Sequence, residues 1–410
     1  MRFLFFILCC FCGSALSART IVVGSSAPVK SIKNALAMAR DGDSILVQPG
    51  TYREGALLIN RSSLTIIGDR AILEGEHKYQ VILVSGKNIL IRGLTIQNSG
   101  YSALEDYAAI KVVDATAVTI ENCHIINAYF AIHISNTGRA IVRNNLIEGT
   151  PRTEQLSGNG IHLWKSNYAL IENNHVTGHR DGIYFEFVTN STIRKNLSER
   201  NIRYGLHFMF SNDDNYIQNT FSNNGAGVAV MYSKKVRMES NRFELNWGAS
   251  AYGVLLKDIS DSYIAGNTFF KNTVALHMEG TSRIDIEKNL FRNNGWAIKV
   301  QASCENNNFR FNNFTGNSFD VGTNGSLSLN EFSQNYWDKY EGYDMNRDGT
   351  GDIPYRPVSM YSMIIEENPN ALLLMRSFTV QLLDKAEKAL PAITPGNLTD
   401  EKPRMKYIQQ

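Results

Sequence analysis

Short runs in which apolar and polar residues alternate recur along most of the chain, separated by Asn and Gly. Ala169-Leu170-Ile171-Glu172 and Ser282-Arg283-Ile284-Asp285-Ile286 are typical. A period of two marks a half-buried strand, and no run is long enough for a helical repeat. Aligning the runs exposes a second regularity, paired Asn residues that bracket an apolar position. The pairs are Asn196/Asn201, Asn219/Asn224, Asn241/Asn246, Asn267/Asn272, Asn289/Asn294, Asn312/Asn317 and Asn330/Asn335, with Phe221, Phe243, Phe269, Phe291, Phe314 and Phe332 between them. Upstream, Asn122/Asn127 fits fully, while Asn144/Gly149, Asn173/Gly178 and Gly93/Asn98 fit with one Gly. The interval is roughly 22 residues, a solenoid period, although the step from Asn312 to Asn330 is shorter.

Strand-length units with Asn and Gly corners predict an all-β solenoid: a parallel β-helix, taken as right-handed, of about eleven coils over residues 19–340. Asn suits the corners because it tolerates the left-handed conformation and its amide can bond to the equivalent Asn one coil away. That ladder is expected to build the fold and to bind nothing. Open coil ends expose strand edges and need covers. Ser31–Ala39 reads as an amphipathic helix leading into the alternating Gly42–Tyr52, so residues 19–52 form an N-terminal cap similar to that of pectin-lyase-like β-helices. Residues 341–410 read as an Asp/Gly loop, a helical extension and an extended tail. The apolar side of Asn370–Leu390 (Leu372, Leu373, Met375, Phe378, Leu382, Leu383, Leu390) is expected to cover the last coil. Removing residues 391–410 is then expected to leave the β-helix folded.

The outward-facing positions change the picture from scaffold to site. In the strand after each Asn pair, the second and fourth residues are apolar and face the core. The third and fifth are then expected to face solvent. The third column reads His133, His162, Tyr184, His207, Ala229, Leu255, His277, Lys299. The fifth reads Ser135, Trp164, Glu186, Met209, Met231, Lys257, Glu279, Gln301. Four of the 8 His of the chain share one column. Coils stack about 4.8 Å apart, so Met209 and Met231 are neighbours with His207 beside them. Two thioethers and an imidazole suit Cu(I), and suit Ca²⁺ or Mg²⁺ poorly. Packing of the two Met under a loop or a partner is the competing reading.

Two other groups bear on chemistry. Asp181, Glu186, Asp213, Asp214 and Glu279, with Arg180 and Arg203, lie on or beside this face, and glycosidases and lyases need such sets. No spacing here demands one. Asp344, Asn346, Asp348, Gly349 and Asp352 match the opening of a calcium loop, with Tyr355 where a bidentate carboxylate belongs. Calcium and a plain polar turn both remain open for that loop.

Composition bounds the partners. With 41 basic against 39 acidic residues, nothing marks a polyanion binder, so no nucleic-acid partner is expected. A basic start, an apolar run and small residues make 1–18 a secretory signal; a lipid anchor on Cys12 fits less well. Cys9, Cys10 and Cys12 fall inside it, and Cys123 and Cys304 share no motif spacing.

The stretch Arg203–Ser211, then Asn223–Ser233, Asn246-Trp247-Gly248 and Tyr252–Asp258, resembles the NosD family. So do Asn335–Asp338, Gly342–Asp344, Asp348–Pro357, Leu383–Glu387 and Thr394-Pro395. The resemblance implies a periplasmic, non-enzymatic accessory of nitrous oxide reductase maturation. It handles Cu(I) for the copper–sulfur centre beside an ABC transporter permease and ATPase, receives copper from a periplasmic chaperone, and sits at the inner membrane through the transporter. It makes His207, Met209 and Met231 the candidate ligands. A carbohydrate-active β-helix enzyme and a metal-free docking scaffold are the alternatives.

Overall fold

The computed structural model describes residues 18–102, 105–151, 153–248, 251–325, 329–390 and 398–409. The expected signal segment, apart from Ala18, lies outside them. The strands form three parallel sheets of 14, 12 and 13 strands, and each strand pairs with its counterpart one coil on. This is a parallel β-solenoid of about 13 turns. It extends past the Asn and Gly registers because the first coils close on burial alone: Ser44–Val47 pairs with Thr65–Gly68, burying Ile45 and Ile66.

Parallel in-register pairing stacks like on like. Ile132, Ile161, Ile183, Leu206, Val228, Val254, Leu276 and Ile298 form one buried column. Phe243, Phe269, Phe291, Phe314 and Trp337 form a second, their rings stacked with centroids 4.8, 4.7, 4.9 and 4.0 Å apart. Such contacts add to the burial of area that dominates stability.

The Asn ladder is real, and it divides between adjacent residues the two roles expected of one. Asn174, Asn196, Asn219, Asn241, Asn267, Asn289 and Asn312 are buried, and each accepts from the backbone N–H and side-chain amide of the residue before it in the column. The left-handed conformation falls one residue earlier, at Asn173, Lys195, Gln218, Ser240, Gly266, Lys288 and Phe311. Upstream, the repeat therefore reads one residue out of step: Asn122, Asn144 and Asn173 are corner residues, and Cys123, Asn145 and Asn174 hold the ladder positions. The short final step also disappears. Asn312 bonds to Asn335, and Asn330 to Asn307 in another column. The Gly that opens several twelve-stranded-sheet strands has a packing cause, since a Cβ on Gly205 would lie 2.7 Å from Asn224 Nδ2 and 2.8 Å from the Gly227 oxygen.

At the start, helix α1 (Ile32–Met38) is capped by Ser31 and buries Ile32, Ala35 and Leu36 on the first coil, as expected. The other end differs from expectation. Helix α2 (Met360–Glu367) contributes Tyr361 and Ile365 to a small cluster with Trp296 and Phe319. A 3-10 turn, Pro369–Leu374, and helix α3 (Phe378–Ala389) follow. Leu372, Leu373, Leu374, Phe378, Leu382 and Leu390 are exposed, so this apolar side does not cover the last coil. The cover is the chain end. Asp400 is fully buried and finishes the Asn ladder, accepting from Asn335 N–H and Nδ2 and from Trp337 Nε1, each at 3.0 Å. Arg404 N–H bonds to the Asn335 oxygen at 2.8 Å, and Ile408 to Asn313 at 2.9 Å. Residues 398–409 thus pack on the last coil rather than extending from it, so their removal is expected to cost stability; residues 391–397 lie outside the described set.

Candidate functional site

The register places the two outward columns as read from the sequence. His133 pairs with His162, His162 with Tyr184, Tyr184 with His207 and His207 with Ala229. Glu186, Met209, Met231 and Lys257 follow one another in the fifth column. Met209 and Met231 are therefore adjacent on successive coils and half-buried, with His207 on the same strand as Met209. Lys257 is drawn away from the pair by Glu279 at 3.2 Å. Tyr184 Oη donates to Met209 Sδ at 3.7 Å, tying the imidazole column to the thioether column.

The third column does not face solvent. His133 is 5% exposed and His207 6%. Rings lie against them: Phe130 on His133 and His162, Tyr204 on His207, and Tyr252 on the half-buried His277. The period-two rule separates core from outside, but says nothing about what lies over the outside. Burial holds the His133 pKa down at about 4 and moves those of His162 and His277 down too, so these imidazoles are neutral at neutral pH.

His207 sits at a junction. Arg203 donates to His207 Nδ1 at 2.9 Å and grips buried Asp181 at 3.1 and 3.2 Å. The Asp181 carboxylate is 3.6 Å from the same Nδ1, and His207 Nε2 is buried with no hydrogen-bond partner. An imidazole accepting from Arg203 at Nδ1 carries its proton on Nε2, so metal binding through Nε2 requires the other tautomer, with Arg203 moved off Nδ1 and Nδ1–H turned to Asp181. Two thioethers and an imidazole are donor types that suit Cu(I). Among the described residues no three or more His, Cys, Asp or Glu are grouped to hold a metal.

The acidic candidates separate. Asp181 is neutralised by Arg203 and approached by Arg180 at 3.6 Å. Glu186 lies beside Met209 in its column, and Glu279 pairs with Lys257. Asp213 is exposed and 3.9 Å from Lys235, whereas Asp214 is fully buried. Asp214 accepts from Ser191 N–H, and burial pushes its pKa up to about 8. The sign follows: between about 4 and 8 the unfolded carboxyl ionises while the folded one stays protonated, so stability falls as pH rises. Asp214→Asn keeps the acceptor and is expected to stabilise the protein by roughly 2–4 kcal/mol at pH 7, with no gain near pH 4. Thermal melts of both proteins across that range check it.

The calcium-like loop keeps its donors to itself. Asp344 accepts from the N–H groups of Asp348 and Gly349, Asp348 from Thr350, and Asp352 from Met345. Asn346 Nδ2 donates to Asp348. Gly349 takes the left-handed conformation, and the loop bonds to Pro403 and Met405 of the terminal segment. These bonds favour the polar-turn reading, in which the loop anchors the cap. One surface feature was missed. Phe187, Phe210 and Tyr232, each in the left-handed conformation beside the fifth column, form an exposed stack with centroids 5.1 and 5.0 Å apart. Their equal spacing after Glu186, Met209 and Met231 was the available signal.

Residues 144–345 match the family described as "Periplasmic copper-binding protein (NosD)". The chain is 28% identical to the "Probable ABC transporter binding protein NosD" of Stutzerimonas stutzeri over 96% of this chain and 94% of that one. It is 29% identical to the protein of the same name from Pseudomonas aeruginosa over 90% of each. Among solved structures it is similar to a GH87 alpha-1,3-glucanase catalytic domain, with TM-score 0.60 and 13% identity over 78% of this chain and 69% of that one. It is also similar to the periplasmic alginate epimerase AlgG, with TM-score 0.51 and 14% identity over 75% and 80%. At such identities these two likenesses concern the β-helix fold alone. The motifs around His207 and Met231 fall inside the matched segment and the curated relatives run nearly end to end, so the chain is similar to the NosD family along most of its length.

Proposed function

We propose that this protein is a periplasmic Cu(I)-binding accessory protein of an ABC transporter. In this reading it accepts copper from a periplasmic chaperone and passes it toward the copper–sulfur centre of nitrous oxide reductase. The observation that carries the reading is the register that sets Met209 and Met231 side by side on adjacent coils, with His207, whose Nε2 has no partner, on the same strand as Met209. The family description and the relatives' names support it. The exposed apolar residues of Pro369–Leu390 are the proposed contact with the transporter permease, and through it the membrane; no helix among the described residues is long and apolar enough to cross a bilayer itself. A non-enzymatic role fits the fate of the carboxylates. Asp181 is held by arginine, and burial keeps Asp214 protonated near neutral pH, so these two candidate carboxylates do not supply a free acid and base to each other.

Deletion of the gene is expected to yield nitrous oxide reductase that folds but lacks a complete catalytic copper centre. Metal analysis and the optical spectrum of the purified reductase read this. A full centre in the deletion strain contradicts the proposal.

A further inference from the structure

Arg203 binds Asp181, Glu154 and the candidate ligand His207 at once. Its Nε and Nη2 donate to the carboxylate oxygens of buried Asp181 at 3.1 and 3.2 Å, and its Nη1 donates to Glu154 at 3.1 Å. The same Nη2 donates to His207 Nδ1 at 2.9 Å. The guanidinium also lies over the Tyr204 ring, 4.8 Å from its centroid. A guanidinium only donates, so His207 Nδ1 is the acceptor and the ring carries its proton on Nε2. That nitrogen is buried and has no partner. The imidazole is therefore held in the tautomer that leaves a donor unsatisfied, although Asp181, 3.6 Å from Nδ1, is placed to accept a proton from the other one. An arrangement serving stability alone would satisfy both.

The coil that supplies Glu154 is a long one. Ladder partners Asn145 and Asn174 are 29 residues apart, against 22 and 23 for the next two pairs. Glu154 opens a short 3-10 turn, Glu154–Leu156, within that coil. The neighbouring coils build their sheets without such an addition, and connections of this kind are where function concentrates. Here the addition supplies a second carboxylate, so the guanidinium stays anchored at Asp181 and Glu154 when its bond to His207 breaks.

We infer that Arg203 is a latch on His207, closing the imidazole to metal in the empty protein and yielding it once Cu(I) has reached the thioethers. The latch rests on the copper-handling reading and deepens it by giving uptake an order. A proton and a metal cannot share Nε2. Coordination there needs the proton on Nδ1, and Nδ1 is open only after Arg203 has let go. The ring is neutral before and after, so the switch takes up and releases no net proton. Met209 and Met231 are half-buried on the outside of the strands and need no such change. A closed state lowers the apparent affinity by the fraction of molecules that are open, which suits a carrier that must release its cargo. Arg203 acts through His207 and is a positioning residue.

Proton–nitrogen correlation spectra of the full chain, with histidine labelled by nitrogen-15, read the tautomer directly; His207 is assigned by its absence in His207→Gln. The empty wild type is expected to carry the His207 proton on Nε2, and Arg203→Lys to carry it on Nδ1. Lysine keeps a positive charge beside Asp181, but its ammonium is a point donor that cannot serve Asp181, Glu154 and His207 together. In anaerobic competition against a calibrated chelator, Arg203→Lys is expected to bind Cu(I) about tenfold more tightly than wild type, the worth of one displaced charge-assisted hydrogen bond. In a His207→Gln background the same substitution is expected to change nothing, because the latch has nothing to hold. A proton on Nδ1 in the empty wild type overturns the latch and leaves the copper reading standing. So does an affinity of Arg203→Lys at or below that of wild type, or a gain that persists without His207. No Cu(I) binding by the wild type sinks both.

Discussion

Asp400→Ala is expected to be the most destabilising single substitution in the chain. The side chain is fully buried and accepts from Asn335 N–H, Asn335 Nδ2, Trp337 Nε1, Gln334 N–H and Lys402 N–H. Each coil's Asn is satisfied by the coil after it, and the last has no coil after it. A carboxylate from the chain end fills that place. Its removal strands several buried donors at about 1–3 kcal/mol apiece, so a loss of about 3–5 kcal/mol is expected after partial relaxation. In a solenoid each repeat leans on its neighbours, so the damage should begin at the end. Amide exchange is expected to quicken first in residues 305–337, with the urea midpoint falling as well. An unchanged midpoint with unchanged exchange in those residues contradicts the capping role. Asp400→Asn keeps one acceptor and is expected to retain part of the lost stability.

Met209→Leu/Met231→Leu is expected to abolish tight Cu(I) binding at the His207 site while leaving the fold in place. Leucine preserves volume and apolarity, and the swap costs under about 1.5 kcal/mol where methionine merely packs. Both side chains are half-buried on the outside of the strands, and the core positions between them are filled by Leu206, Phe208, Val228 and Val230. Loss of both thioethers leaves one imidazole, whose hold on a soft cation is weak. Affinity at that site is expected to drop by at least about 100-fold, or about 2.7 kcal/mol. His207→Ala should weaken it less, because both sulfurs stay. Equal affinity in wild type and both variants would move the metal elsewhere.

What the sequence made legible follows from what a repeat encodes. Alternation and the Asn pairs determine the sheets, their register and the columns, so Met209 beside Met231 could be placed without coordinates. Adjacent residues of one corner were harder to separate. Both the left-handed residue and the buried ladder residue favour Asn, and this is why Asn144 and Asn173 stood in for Asn145 and Asn174. The burial of His133 and His207 was not legible either, because it depends on Phe130, Tyr204 and loop residues whose placement no period sets. At the C-terminus, exposed Leu373 and Phe378 looked like a cover by composition. The actual cover rests on one aspartate in a polar tail, a contact that spans 65 residues of sequence.

The most direct test of the account is the sulfur content of the copper site. Wild-type protein loaded anaerobically with half an equivalent of Cu(I) can be measured by X-ray absorption at the copper edge. Copper on two thioether sulfurs and one imidazole is the predicted result, with the sulfur signal gone in Met209→Leu/Met231→Leu. Copper bound by nitrogen and oxygen alone in the wild type, or a sulfur signal that survives the double substitution, would contradict it.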